Sequence, residues 1–190
     1  MASDITACIS TIPPRGGLLL RALASVSAQT VLPDAVAIAI DHDHDGVWVT
    51  RARSVVMADT RWVAFLDDDD EWLPQHCQRL LACQAETGAD LVYSCFESVP
   101  LGWQELGICG PPFDPERPPA TVTITVLVDR QLASTVKLGP PDPGWRNALD
   151  DQLLLQGALA LGAKVVHLPE VTWRYHMDGK HTSGQPHRWA

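Results

Sequence analysis

No apolar run in this 190-residue chain approaches the roughly 18 residues of a membrane span. The first residues, Met1-Ala2-Ser3-Asp4, lack the basic-then-apolar layout of a secretory signal, so the cytoplasm is the expected location. Cys8, Cys77, Cys83, Cys95 and Cys109 are odd in number and show no CxxC spacing. That argues against a zinc site or a disulfide framework and for small, buried apolar side chains. Positive charge is scarce. Lys and Arg total 14 against 23 Asp and Glu, a net charge of -9 that suits neither nucleic acid nor an anionic membrane. What remains is a globular balance, 46% apolar and 19% charged. A chain of this length makes one domain and buries roughly 70% of its unfolded surface without disulfides or structural metal.

Hydrophobic periodicity sets out the N-terminal half as alternating elements. Strands are predicted over residues 5–10, 35–40, 62–66 and 90–96, with helices over 18–29, 48–58 and 73–87 between them. This alternation predicts an α/β fold, a mostly parallel central sheet with helices on both faces. Periodicity lapses over 99–119, a stretch with six prolines and three glycines. It resumes with a strand over 121–128, a helix over 147–161 and two strands over 164–167 and 171–175. No linker separates two domains.

Acidic residues are concentrated where strands end. Trp62-Val63-Ala64-Phe65-Leu66 runs directly into Asp67-Asp68-Asp69-Asp70. Four like charges beside an apolar sheet are unfavourable unless a cation relieves them. Hard cations such as Mg²⁺ or Mn²⁺ take oxygen ligands and often bind through one or two carboxylates plus substrate phosphates. Open parallel sheets also bind ligands beyond the carboxyl ends of their strands. Asp70 is expected to cap the helix that follows, which accounts for one aspartate of the four. A second cluster, Asp41-His42-Asp43-His44-Asp45-Gly46, opens like a calcium loop, but its twelfth position holds Ala52 and a strand precedes it. Asp41 is instead a candidate for hydrogen bonding a ligand's base or ribose. Asp43, His44 and Asp45 are equally well read as a solvated turn. Asp150-Asp151 opens an apolar helix, where acids are ordinary dipole partners.

Taken in order, these segments resemble glycosyltransferases of the GT-A fold, most closely the large inverting glycosyltransferase family 2. The first strand ends in Ser10-Thr11-Ile12-Pro13, at the place of the family's Pro-Thr-Tyr-like turn. The stretch from Leu20 to Thr30, LRALASVSAQT, is similar to the family's "LLRALESVLAQT". Asp41 follows the second strand, and Arg51 and Arg53 lie on the next helix. Phe65-Leu66-Asp67-Asp68-Asp69-Asp70-Glu71-Trp72-Leu73-Pro74 resembles the DxD segment. Asp150-Asp151 stands where the family has Glu-Asp, and Trp173-Arg174-Tyr175-His176 resembles its closing "YRxH". Two positions depart from the pattern: Asp150 is not Glu, and Arg53-Ser54 replaces Arg-Asn.

The resemblance implies a single GT-A (Rossmann-like) domain over 1–190, with a nucleotide-binding half (1–97) and an acceptor and catalytic half with a C-terminal loop (98–190). It implies a metal-dependent, inverting transfer of sugar from a nucleotide-sugar, most often a UDP-sugar, to an acceptor hydroxyl. Asp69 would be the direct ligand of Mn²⁺ or Mg²⁺. Asp67 would bridge to the ribose or assist the metal, and His176 would be a second metal or pyrophosphate contact. Asp151, with Asp150 beside it, would be the general base. Thr11, Pro13, Asp41, Arg51, Arg53, Asp67, Asp68, Arg174 and Lys180 would surround the nucleotide and its phosphates. Two other classes stay open on sequence alone. A non-catalytic nucleotide- or sugar-binding module would suit the short chain. A nucleotidyltransferase would use Pro13-Pro14-Arg15-Gly16-Gly17 as a weak phosphate-cradling loop.

Overall fold

Runs of β-branched and small apolar residues become the strands, and their register fixes everything that follows. In the computed structural model, which describes residues 3–99, 125–136 and 150–176, β1 (Ile5–Thr11) lies between β2 (Ala35–Ile40) and β3 (Trp62–Asp67) and is parallel to both. The seven-stranded sheet continues through β6 (Val126–Asp129), β5 (Leu91–Val99), β7 (Val165–His176) and the two-residue β4 (Glu71–Trp72). β6 is antiparallel to β3 and β5, β5 is parallel to β7, and β4 is antiparallel to β7. β1, β2, β3, β5 and β7 therefore all point the same way. The mostly parallel sheet is as the sequence implied.

Alternation along the strands divides the interior into two apolar layers. Val63 and Phe65 face one side with Val55, Ala58, Leu154 and Leu155. Trp62, Ala64 and Leu66 face the other with Ala22, Val26, Cys77 and Leu80. Helices α2 (Val47–Met57), α4 (Arg130–Thr135) and α5 (Asp150–Ala160) thus cover one face, and α1 (Gly16–Ser27) and α3 (His76–Thr87) cover the other. Burial on both faces explains why β3 reads as a continuous apolar run and not an alternating one. Gly88 ends α3 in the left-handed conformation, with φ +68°, and its N–H donates to Gln84 O at 2.7 Å.

Several local expectations change. Asp70 does not cap α3. The cap position is Gln75, which makes no side-chain capping bond, because residues 71–72 leave the loop as β4 before the helix begins. The two strands expected over 164–167 and 171–175 are one, β7, whose pairing with β5 shifts register near Ser94 to Phe96. Helix α4 was not anticipated. Asp129 starts it, its carboxylate accepting the N–H groups of Gln131 and Leu132. Cys8, Cys77 and Cys83 are buried free thiols as expected, whereas Cys95 is disulfide-bonded, which the spacing gave no reason to anticipate. The irregular stretch over 99–119 lies outside the described residues from 100 onward, as do residues 121–124 and 147–149 of the strand and helix expected there.

Candidate active site

Strand register assembles the site. Thr11 pairs with Ile40 across β1 and β2, and Ser10 pairs with Asp67 across β1 and β3. The three strands therefore end level, and the residues just beyond them meet at one edge of the sheet. Thr11 O accepts the Asp41 N–H at 2.9 Å, and Thr11 Oγ1 donates to Asp68 Oδ2 at 2.5 Å. A small open cleft lies at this edge, lined by Ser10, Thr11, Ile12, Arg15, Asp41, Val47 and Thr50. Of the residues assigned to the nucleotide, Thr11 and Asp41 line it. Pro13 is exposed in the 3-10 turn Pro13–Arg15.

Asp41 is buried, and its two oxygens accept the N–H groups of Asp45 and Gly46 at 2.9 and 3.0 Å. It ties down the acidic loop. Gly46, with φ +104°, enters α2 in a conformation that side chains resist. On α2, buried Arg51 donates to Asp67 Oδ1 at 2.6 Å, while the more exposed Arg53 pairs with Asp45. Arg51 thus reaches the acidic corner, and Arg53 braces the neighbouring loop.

Asp67 closes β3, and Asp68, Asp69 and Asp70 are all buried behind it. Helix α1 and the turn just after it hold this loop through residues at four-residue intervals. Arg21 donates to the backbone carbonyl of Asp69, Ser25 Oγ accepts the Trp72 N–H at 3.1 Å, and Gln29 donates to Leu73 O at 2.8 Å. Gln29 Oε1 also accepts the Cys77 N–H at 3.0 Å. Arg21, Ser25 and Gln29 of the LRALASVSAQT stretch are therefore the fasteners of the acidic loop. Arg15 adds a fork of its own, with Nη1 2.9 Å from Asp68 Oδ1 and Nη2 on Asp69.

Burial raises the Asp68 pKa to about 7, against the opposing pull of Arg15 and Thr11. Burial raises Asp70 well above the usual carboxylate range, and Asp67 and Asp69 add to the rise. Both shifts come first from burial beside the sheet, with the neighbouring carboxylates adding to them. Asp67, Asp69 and Asp70 each offer an oxygen, all within 4.8 Å of one another. Three carboxylate oxygens suit a hard divalent cation, whose ligands stand at about 2.1 Å. Asp70 is the member that sequence reasoning set aside as a helix cap.

The end of β7 reaches the same corner. His176 donates its backbone N–H to Asp70 Oδ1 at 3.0 Å, and its Nε2 lies 2.5 Å from Glu71 Oε2. Arg174, opposite Glu71 in register, points to Glu97 Oε1 at 2.6 Å and is partly exposed. Asp150 and Asp151 begin α5, and their side chains, like all of Lys180, lie outside the described residues. Sequence reasoning missed Ser10, Ile12, Val47 and Thr50 in the cleft, along with Arg21. Arg15 could have been found, since the Pro-Pro-Arg-Gly-Gly turn already suggested contact with phosphate.

The fold is shared by known structures. The structure of S. aureus TarS 1-349 in complex with UDP superposes with a TM-score of 0.69 at 13% identity, covering 95% of this chain and 62% of that one. The complex of the same protein with UDP-GlcNAc gives 0.70 at 15% identity, covering 93% and 58%. The chain has the GT-A fold of family 2-like glycosyltransferases. Residues 50–110, from α2 through the acidic corner to β5 and beyond, match the sequence model of Glycosyl transferase family 2. No curated protein sequence matches significantly. The GT-A chain described here spans about three fifths of the length of these TarS structures. No helix among its described residues is long and apolar enough to cross a membrane.

Proposed function

We propose that the protein is a metal-dependent, inverting glycosyltransferase that moves a sugar from a nucleotide-sugar, with UDP as the favoured nucleotide, to an acceptor hydroxyl. The observation that carries this reading is the convergence of Asp67, Asp69 and Asp70 beside a cleft at the carboxyl edge of a parallel sheet. The UDP and UDP-GlcNAc complexes of structures with the same fold support the choice of donor.

In this reading residues 1–97 receive the nucleotide, and residues 98–190 supply the acceptor side. Thr11 and Asp41 line the space for base and ribose, with Arg51 holding Asp67 in place. Asp69 and Asp67, joined by Asp70, would hold Mn²⁺ or Mg²⁺. When bound, such an ion acts as a Lewis acid that stabilises the departing diphosphate. His176 fixes Asp70 through its backbone N–H, and its ring is assigned to the metal or the diphosphate. Arg174, Arg53 and Lys180 supply positive charge around the phosphates. Asp151, in the first turn of α5, takes the proton of the acceptor hydroxyl as it attacks, with Asp150 at its side.

A thermal-shift screen of nucleoside diphosphates and nucleotide-sugars, with and without Mn²⁺, tests the reading. A ligand that binds only the folded state raises the melting temperature by mass action. The expected result is a rise for a UDP compound that requires Mn²⁺ and disappears in Asp69→Asn. A metal-independent rise, or one unchanged by that substitution, rejects the metal site. Hydrolysis or transfer of the sugar in the same samples separates an enzyme from a binding module, and pyrophosphate release would indicate a nucleotidyltransferase.

A further inference from the structure

Arg15 is the last residue of the 3-10 turn between β1 and α1, and the backbone there is fixed. Pro13 and Pro14 precede it, and its N–H donates to Ile12 O at 3.0 Å. Its side chain has two sets of neighbours. The guanidinium forks onto Asp68 and Asp69, and the same side chain lines the cleft with Thr11, Asp41 and Thr50. A guanidinium fits carboxylate and phosphate with the same planar fork. Asp69 is also one of the three carboxylates able to meet at a cation. A divalent ion on Asp69 would face the guanidinium across a few ångströms, an arrangement that repulsion opposes.

We propose that Arg15 is an exchangeable counter-cation. It holds Asp68 and Asp69 while the nucleotide site is empty, and it turns onto the diphosphate when a metal ion takes Asp69. This inference rests on the metal and nucleotide-sugar reading above and names the residue that couples the two ligands. The cleft beside Arg15 is open. Arg15 itself lines this cleft, so its side chain has space to turn on that side. The exchange makes metal binding weak without nucleotide and stronger with it, and by linkage makes nucleotide binding depend on metal.

Removing the guanidinium should act in opposite directions on the two ligands. The carboxylates lose a competing cation, while the diphosphate loses a partner. A purely architectural arginine would weaken both. The test compares the unmodified protein with Arg15→Gln and Arg15→Lys. Binding of Mn²⁺ alone is followed by electron paramagnetic resonance of the free ion, and UDP binding at saturating Mn²⁺ by calorimetry. Arg15→Gln is expected to bind Mn²⁺ about tenfold more tightly and UDP about tenfold more weakly. Arg15→Lys keeps a charge but cannot fork onto both carboxylates, so it shifts both affinities the same way by less. Circular dichroism verifies folding, and the lysine variant carries the test if the glutamine variant does not fold. Mn²⁺ affinity that is unchanged or lower in a folded variant, or UDP affinity that is unchanged, overturns the exchange. Absence of any Asp69-dependent Mn²⁺ binding in the unmodified protein, with or without UDP, instead overturns the metal-dependent reading on which it rests.

Discussion

One buried histidine should withdraw stability from this protein as the pH falls from 7 to 5. His76, the first residue of α3, is fully buried, with Nδ1 2.7 Å from Thr172 Oγ1 and its ring stacked on Trp72 at 4.7 Å. Burial lowers its pKa to about 3, with only partial opposition from the hydrogen bond at Thr172. In the unfolded chain the same side chain titrates near 6.5. Between these values the unfolded state binds the extra proton, so stability rises with pH across that window. The contribution is complete above about 6.5 and is lost as the pH falls from there towards about 3. At pH 7 about a quarter of the unfolded histidine is protonated and at pH 5 nearly all of it, which corresponds to a loss of roughly 2 kcal/mol. Asp68 and Asp70, with raised pKa values, work the other way, so the total profile mixes the two effects. His76→Asn removes the titrating ring and keeps a polar atom near Thr172. Urea unfolding of parent and variant at both pH values, in EDTA and constant salt, isolates the histidine. The parent should lose about 2 kcal/mol more than the variant between pH 7 and pH 5. Parallel losses would refute the assignment of a neutral, buried imidazole.

Other consequences follow from the same geometry. Asp151→Asn should leave Mn²⁺-dependent UDP binding intact and lower turnover by at least about 100-fold, measured as sugar transfer or donor hydrolysis; retained turnover moves the base elsewhere. Phe65→Ala empties a buried position on β3 and should reduce unfolding free energy by about 3–5 kcal/mol in urea titrations. Gly157→Ala places a Cβ 2.6 Å from Val136 Cγ1, a stiff β-branched neighbour, so it should destabilise by about 1–3 kcal/mol despite the better helix propensity of alanine. Adding Val136→Ala should recover part of that loss, and additive losses in the double variant would show that the two sites do not touch.

The strands of the N-terminal half were legible because each is a short apolar run between clear breaks, and burial on both faces leaves no polar alternation to confuse them. Residues 35–40 carry the same bounds in sequence and structure, and the helix over 48–58 shifts by one residue at each end. The acidic corner was legible for a different reason. Four adjacent carboxylates after an apolar strand are too unfavourable to be incidental. β4 escaped notice because two residues carry no periodicity, and its existence displaced Asp70 from the helix cap to the cluster. α4 is too short for its apolar positions to form a stripe.

By itself the chain determined the alternation of strands and helices, the parallel character of the sheet and the place where negative charge gathers. These follow from local composition, which sets the conformation of each segment and the face it must bury. Tertiary structure decided which charges meet. Register brought Thr11 to Asp68, and the fork of Arg15 closed over Asp68 and Asp69. It also carried His176 to Asp70 across 106 positions of sequence. No local propensity encodes such encounters, because they depend on where separate strands end relative to one another.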